Sequence, residues 1–464
     1  MFCNYLKRLD SGFRLPVRRT QTGRHDGRRY FWTFYETVNI HFLYYYFYFY
    51  VLMLFKLPYF EAFMSNSFPT DEYNRKLPGQ LLKVSSVAVF SRFLLNTAKR
   101  FPYPFAPVLS RGLGVPLTAI TSLIALNQAA AILGVILAPL GDRLGYRRMM
   151  LAGMAMLITG MLIAGFLPLY GIVLIALFLT GLAKNTFDPA IQAYVGERIP
   201  YSKRGLAIGI LEFSWASSTL IGIPIIGFLI NGLGWRSPFF FIGGMGFICL
   251  ALLIIFIKKD DKLPRRSFSL LFFWEALNQL VRHRSSFGVL IFAFLSGVAN
   301  DNLFVVYGVW LEGQFHLSTV AIGLSTIVIG VAELLGEGLT ATLSDRLGLK
   351  RSLFFALLFS MLSYILLPIF GQSLTLAFTG LFFVFLFFEF AIVTCLSLST
   401  ELIPASRATM MAGFFTAAGI GRVIGALIGG PLWLTGGIWA TGLVSASITC
   451  LTLLATMWGL REWQ

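Results

Sequence analysis

Long apolar runs separated by short basic loops recur along this chain between positions 84 and 459. A helix needs about 20 mainly apolar residues to cross the hydrocarbon core of a bilayer. Twelve segments meet this requirement, and they lack the ten-residue alternation of strands in an outer-membrane barrel. The sequence therefore predicts an all-α membrane protein with twelve transmembrane helices. We number these predicted spans one to twelve, at residues 84–109, 116–140, 149–168, 171–195, 206–230, 238–257, 287–311, 319–342, 352–370, 374–398, 408–434 and 438–459.

Charged residues are few and lie mostly in the loops. They make up 12% of the 464 residues, against about 25% in soluble domains. The loops on one side of the predicted bundle, with the C-terminal tail, hold eighteen basic residues, whereas the opposite loops hold only Arg111 and Arg236. Basic loops remain in the cytoplasm. We therefore expect a multi-pass protein of the cell membrane with a cytoplasmic C-terminus. The net charge of +16 is then a topology signal, and we expect no nucleic acid partner.

Motifs of several other functional classes are absent from the sequence. It holds no Walker A string, no H-E-x-x-H, no G-x-S-x-G and nothing that resembles a channel filter loop. The four histidines all lie outside the predicted spans, and the four cysteines have neither metal-ligand nor disulfide spacing. We expect no enzymatic activity, no metal site and no cofactor. A membrane-embedded hydrolase or metalloenzyme is the weak competing class.

An internal repeat relates the two halves of the chain. The second span ends in A-P-L-G-D-R-L-G-Y-R-R, and the eighth ends in A-T-L-S-D-R-L-G-L-K-R; seven of the eleven positions are identical, at an offset of 203. Glu197 and Glu401 begin a further matched pair of strings, and Trp235 and Trp439 match at an offset of 204. The sequence thus predicts two parallel six-helix repeats, which is one of the architectures of secondary transporters.

The repeated loop resembles the signature of the major facilitator superfamily, G-x-L-x-D-R-x-G-x-R-R. The resemblance covers about residues 80–464, and in both copies alanine, Ala138 or Ala341, stands where the pattern begins with glycine. The residues that match are Asp142, Arg143, Gly145, Arg147 and Arg148 in the first half, and Asp345, Arg346, Gly348, Lys350 and Arg351 in the second.

The resemblance implies a gating role for these loops, which in this family latch the two bundles on the cytoplasmic side. Asp142 can accept hydrogen bonds at a helix N-terminus, and Arg143 can pair with a carboxylate such as Glu197. The remaining members of the predicted gating set are Arg204, Glu401 and Arg407. The alternative is that these are ordinary positive-inside loops, which explains the basic residues but not the repeated aspartate and glycine.

Ionisable residues inside the predicted spans are the candidate pathway for substrate or protons, because a charge within the membrane is costly. The resemblance implies a central cavity lined by spans one, four, seven and ten. The pathway residues that we predict are Arg92, Asn96, Lys99, Arg100, Lys184, Asp188, Glu212, Asp301 and Glu389. Further ionisable residues in the spans are Glu333, Glu337 and Arg422.

Two interpretations of these charges remain open. Lys184 and Asp188 are four residues apart and so share a helix face, and they can form fixed ion pairs with Arg92 and Glu212. Asp301 in span seven and Glu389 in span ten lie deeper and have no obvious local partner. Carboxylates in a low-dielectric region can take up protons. We therefore expect a monomeric, proton-coupled secondary active transporter of a small solute; the alternative is a transporter-like sensor or partner-binding protein without flux.

Glycine and proline mark three places where helices pack or break. Gly421, Gly425 and Gly429 in span eleven are four apart, and small residues at this spacing let helix backbones touch in lipid. The fifth span holds Gly222, Pro224 and Gly227, a partial match to the family's antiporter motif for which plain packing is the alternative. Prolines near the outer end of span one are expected to break its helix; they are Pro102, Pro104 and Pro107.

These features predict four regions. They are an N-terminal extension at 1–80, a first bundle at 81–257, a cytoplasmic linker at 258–286 and a second bundle at 287–464. The extension contains an aromatic run from Phe42 to Phe55, which at 14 residues is short for a span. Two interpretations of it remain open: a segment that lies on the membrane surface, or an upstream stretch that is not natively translated, with the chain starting at Met64.

Overall fold

The structure, a computed structural model, describes residues 76–198, 211–258, 280–402 and 407–461. Most of the predicted extension and of the linker lies outside these residues. The described residues are helical and include no strand, as expected where lipid leaves backbone groups no partners except those within a helix. The helices are Lys76–Arg100, Ala106–Leu113, Leu117–Leu144, Tyr146–Phe166, Tyr170–Arg198, Leu211–Leu233, Ser237–Phe256, Arg284–Phe304, Tyr307–Phe315, Thr319–Leu347, Leu349–Phe370, Leu374–Leu402 and Arg407–Gly459.

These helices lie at all twelve predicted span positions. Nine helices in the described part of the chain are long and apolar enough to cross a bilayer, or ten if the bent pair Ala106–Leu113 and Leu117–Leu133 counts as one. The last helix counts once, although its chain reverses at Gly437, where φ is 56° and ψ is −144°. The ten become eleven when the last helix is divided at Gly437, and twelve when Lys76–Arg100 is added. The predicted fold of twelve spans is confirmed.

The first and seventh spans are each broken into two helices. In span one the helix ends at Arg100 and restarts at Ala106, where prolines interrupt the backbone hydrogen bonds as predicted. Span seven breaks between Phe304 and Tyr307 without a proline, which the sequence did not predict. This break lets Gly308 approach the carbonyl group of Pro104 so closely that a Cβ atom on Gly308 would overlap it. The contact joins the two halves of the protein.

The backbone repeats the two-fold pattern of the sequence. Gly145 has φ 96° and ψ 140°, and its repeat partner Gly348 has φ 83° and ψ 147°. This region of backbone conformation is essentially restricted to glycine. The glycine of the repeated motif is therefore required by the turn that joins spans two and three, and by the equivalent turn between spans eight and nine. Together with the sequence match, this supports a duplicated six-helix unit.

Small residues set the contact between spans seven and eleven. Cβ atoms placed on Gly425 and Gly429 would meet the carbonyl oxygens of Val298 and Asn302 at 2.6 and 2.7 Å. A Cβ atom placed on Gly421 would lie closer still, 2.0 Å from the carbonyl oxygen of Phe294. Glycines four apart thus pack against a seventh-span backbone at the same spacing, as predicted. This contact brings side chains of spans seven and eleven together near the middle of the bundle.

In the described part of the chain, the backbones of the two halves come close at three pairs of spans. Spans five and eight meet where a Cβ on Gly227 would lie 3.3 Å from the Cα of Gly323. Spans two and eleven meet at Thr121 and Gly430, where the equivalent distance to the threonine Oγ1 is 2.8 Å. Spans one and seven meet at the broken segments described above. We call the side with the loops after spans two and eight the basic side, and the side where spans one and seven end the opposite side.

Candidate functional site

Four charged side chains form an ion-pair cluster in the first half, on the basic side of the bundle's middle. Arg92 Nε donates to Asp188 Oδ1 at 3.2 Å, and its Nη1 and Nη2 donate to the two carboxylate oxygens of Glu212 at 3.0 and 3.3 Å. The ammonium of Lys184 bonds the second oxygen of Asp188. The interpretation of these four residues as fixed ion pairs therefore agrees with the geometry. We call them the Arg92 cluster.

A second ion pair crosses from one half to the other. The Arg100 guanidinium donates two bonds to Glu333 of span eight, Nη2 to Oε1 at 2.6 Å and Nη1 to Oε2 at 3.2 Å. Both side chains are buried, 4% and 5% exposed. The guanidinium lies over the ring of Trp215, 4.3 Å from its centroid, which adds a cation–π interaction. The pair fixes the middle of span one against span eight.

Asp301 has two partners, which corrects the prediction that it lacks one. Tyr103 OH donates to its Oδ1 at 2.8 Å, and Arg422 Nε lies 3.8 Å from its Oδ2. Gln128 donates in turn to the tyrosine oxygen. The break in span one turns Tyr103 toward the second half, and the glycine contact between spans seven and eleven sets Arg422 beside Asp301. Both arrangements depend on tertiary packing.

Three charged side chains inside the spans have no hydrogen bond or ion pair to any residue that the structure describes: Lys99, Glu337 and Glu389. Lys99 is only 6% exposed. The two glutamates are half-buried and lie on neighbouring spans of the second half. Glu333 and Glu337 are the carboxylates whose charges act most strongly on Glu389. Two like charges in one low-dielectric region cannot both ionise easily, so such a pair can share one proton.

Several buried oxygen or nitrogen atoms of amide side chains near these charges also have no hydrogen-bond partner within the described part of the chain. They are Asn96 Oδ1, Gln128 Oε1, Asn185 Nδ2 and Asn300 Oδ1. A buried polar group without a partner costs free energy. These atoms, on spans one, two, four and seven, therefore provide hydrogen-bonding capacity for water or a solute. The described residues include no group of three or more histidine, cysteine or acidic side chains able to hold a metal ion.

A third ion pair joins the halves at the surface of the opposite side. Arg111, at the end of span one, donates two bonds to Glu312 of span seven, at 2.9 and 2.7 Å. Their side chains are 61% and 25% exposed. Solvent screening makes such a pair weaker than the buried one. Together with the contact between Gly308 and Pro104, it holds the two halves together on the opposite side.

The sequence of the described bundle matches one protein family twice. A family model named Major Facilitator Superfamily matches residues 88–298 and again residues 289–462. The chain belongs to the major facilitator superfamily. It is therefore a membrane transporter by family, and its two matches follow the two six-helix halves.

Relatives within this superfamily agree with that assignment. The chain is 26% identical over 306 residues to an uncharacterized MFS-type transporter, YceJ of Bacillus subtilis, covering 65% of this chain and 77% of that protein. It is 26% identical over 288 residues to the multi-drug resistance efflux pump PmrA of Streptococcus pneumoniae, covering 60% and 71%. The crystal structure of the nucleoside transporter NupG has a TM-score of 0.67 at 14% identity, covering 82% of this chain and 99% of that one. This structural likeness shows the superfamily fold alone.

The superfamily's loop motif is only partly described. Arg147 Nη2 donates to the carbonyl oxygen of Ile254 at 2.7 Å and so ties the loop after span two to the end of span six. The other described side chains of the predicted gating set are exposed: Arg148, Arg346, Lys350, Arg351 and Glu401. Those of Asp142, Arg143, Glu197, Arg204, Asp345 and Arg407 lie outside the described part of the structure. Their gating role stays a prediction.

The predicted pathway residues lie within the spans, but their most informative partners come from spans outside the predicted lining. Glu333 and Arg422 could have been found, because each is a charge inside a span. Tyr103, Gln128 and Trp215 carry no such signal, since aromatic and amide side chains are common in membrane helices. Asn96 donates to Ser214 at 3.3 Å, which joins spans one and five within the first half.

Proposed function

We propose that this protein moves a small solute by alternating access and couples that movement to protons. The observation that carries the proposal is the pair of half-buried carboxylates, Glu337 and Glu389, without a bonded partner among the described residues. They lie beside ion pairs that join the two halves. A site that gains and loses a proton next to an interface between two moving bodies is what proton coupling requires.

The described conformation supports alternating access. The Arg111–Glu312 pair and the Gly308 contact hold the two halves together on the opposite side. Toward the basic side, the Glu212 side chain in the Arg92 cluster is 44% exposed. We assign the basic side to the cytoplasm, because its loops hold most of the loop arginines and lysines. The conformation is then one that opens to the cytoplasm, with the C-terminus on that side.

The coupling step follows from the charge of Glu389. Arg100 and Arg422 are the cations that interact with it across the interior. Protonation neutralises the carboxylate and lowers the cost of enclosing it when both sides of the protein are closed. Release of the proton on the side of higher pH restores the charge and its attraction to those arginines. The transmembrane pH difference thereby biases the conformational cycle.

We also propose that the repeated loops act as the cytoplasmic latch. Their glycine turns, at Gly145 and Gly348, hold the neighbouring charges at the ends of adjacent helices. Asp142→Asn is expected to slow transport more than it reduces solute binding, because it acts on the equilibrium between states. Parallel measurements of binding and of flux check this. Equal losses in both, with an unchanged distribution of states, would count against a latch.

Flux in proteoliposomes tests the function. Vesicles that hold the full chain and an entrapped pH-sensitive dye are supplied with a panel of organic anions, zwitterions and cations under an imposed pH difference. We expect solute-dependent proton movement from at least one class. Glu389→Gln and Glu337→Gln should each abolish the pH dependence of flux. Glu462→Gln, in the C-terminal tail, is the matched control and should keep it.

Two outcomes would refute the proposal. If both interior glutamate variants retain the full pH dependence, the coupling carboxylate is another residue or the protein is a uniporter. If no solute class moves while the purified protein captures a specific protein partner, the chain is a transporter-like sensor.

A further inference from the structure

Two cationic side chains from opposite halves converge near the middle of the bundle. Lys99 belongs to span one, four residues before Tyr103, and Arg422 belongs to span eleven. Tyr103 donates a hydrogen bond to Asp301, and Arg422 lies 3.8 Å from the same carboxylate, so these parts of the two spans meet at Asp301. The charge of Arg422 also acts on Lys99. Lys99 is more than nine-tenths buried and has no bonded partner among the described residues. The closest approach of Arg422 to Asp301 is from Nε, at 3.8 Å, and the Arg422 side chain is 27% exposed. Its two terminal nitrogens have no hydrogen bond in the described part of the chain.

The nearby carboxylates do not satisfy this pair of cations. Asp188 and Asp301 both attract Lys99 across the interior. However, Asp188 already bonds Arg92 and Lys184, and Asp301 already accepts a bond from Tyr103. A buried ammonium without a bonded counter-ion is costly. The fold therefore holds a positive charge in the interior without a bonded counter-ion. A negatively charged group bound from outside the chain would neutralise it.

We propose that Lys99 and Arg422 bind an acidic group of the substrate, a carboxylate or a comparable oxyanion, so that the substrate class is an organic anion. Arginine's planar guanidinium suits a bidentate contact with such a group. Because the two cations belong to different halves, the bound anion bridges them. Binding then favours the approach of the halves that alternating access requires. This inference rests on the proposed function, since it takes the interface between the two halves as the transport site.

The charge distribution separates this site from the proton site. The unbonded glutamates lie on spans eight and ten of the second half, whereas the anion is held by spans one and eleven. Protons and anion thus have separate positions, with Arg422 acting on both Glu389 and Lys99. If the substrate is instead a cation that binds at Glu337 and Glu389, the assignment of an organic anion is wrong. This is the main alternative outcome of the test.

Equilibrium binding to the purified full chain tests the inference without requiring flux. Three probes share one aromatic body and differ in charge: 1-naphthoate, 1-naphthamide and 1-naphthylmethylammonium. Binding is followed by thermal shift and by tryptophan fluorescence. We expect naphthoate to bind about tenfold or more tightly than the other two, since a hydrogen bond to a charged group is worth about one tenfold step in affinity.

Variants distinguish a binding role from a structural one. Lys99→Met and Arg422→Gln should each weaken naphthoate binding by about tenfold and leave naphthamide binding unchanged. Lys99→Met should also raise the midpoint of thermal unfolding of the empty protein, because it removes an unpaired buried charge. Lys99→Arg should retain the preference for naphthoate. Arg236→Gln, an exposed arginine on the opposite side, is the matched control and should change nothing.

Three results would overturn the assignment. They are tighter binding of the cationic probe, an unchanged naphthoate preference in Lys99→Met, and no binding of any probe by the folded protein. A structural role for Lys99 would instead lower the unfolding midpoint of Lys99→Met. Proton-driven flux that persists in the vesicle assay while naphthoate preference is absent would refute the anion site and leave the proposed function standing.

Discussion

The buried pair of Arg100 and Glu333 is expected to show strong energetic coupling between the two halves. The perturbation is a double-mutant cycle of Arg100→Met, Glu333→Leu and the combined variant. Each replacement is close in volume to the original side chain and carries no charge. The lost contact between Arg100 and Trp215 occurs in both arginine variants, so it largely cancels from the coupling term.

The magnitude follows from burial. Removing one partner leaves the other charge buried without its bidentate partner, which costs about 3–5 kcal/mol. Removing both leaves two apolar side chains in contact, and such a replacement is often neutral or stabilising. Each single variant should therefore be destabilised by about 3–5 kcal/mol, while the double variant lies close to the original protein. The coupling free energy is then several kcal/mol.

The chain offers a matched comparison on its surface. Arg111 and Glu312 make the same two-bond contact between the same two halves, but their side chains are 61% and 25% exposed. Exposed pairs contribute about 0–1 kcal/mol. The equivalent cycle, Arg111→Met with Glu312→Leu, should therefore give a coupling of about 1 kcal/mol or less. Unfolding of the purified protein in mixed micelles, followed by tryptophan fluorescence, measures both cycles.

Additivity would refute this reasoning. If the Arg100 and Glu333 variants add to within about 0.5 kcal/mol, the two side chains do not interact as the geometry indicates. Equal coupling at the buried and exposed pairs would show that burial does not control the strength of these contacts. A double variant that is far less stable than either single one would indicate a packing defect instead of a lost ion pair.

Three further changes test other parts of the structure. Gly348→Ala should destabilise the fold by about 1–3 kcal/mol, because its backbone conformation is essentially restricted to glycine; Gly338→Ala, in open helix, is the control and should be neutral or stabilising by thermal unfolding. Gly425→Val should push spans seven and eleven apart and reduce the yield of monodisperse protein in size-exclusion chromatography. Tyr103→Phe removes the hydroxyl that bonds Asp301 and should cost about 1–3 kcal/mol in the same unfolding assay; an unchanged midpoint would contradict that bond.

Much of the fold could be predicted from the sequence because the bilayer constrains it locally. Each span must be apolar for about 20 residues, and each must satisfy its own backbone hydrogen bonds as a helix. The repeated loop strings revealed the duplication, and their glycines adopt nearly the same conformation in the structure. The pairing of Lys184 with Asp188 was also predictable, because residues four apart share a helix face.

The partners across the halves were decided only by the tertiary structure. Arg100 and Glu333 are separated by 233 residues, and Tyr103 and Asp301 by 198. The sequence marked most of these residues as unusual charges, but it carried no information on how the halves dock. The break in span seven has no proline, so the sequence did not signal it, although it accompanies the contact with span one. Helix formation is a local consequence of the solvent, whereas the choice of partner depends on packing between distant helices, which local sequence does not specify.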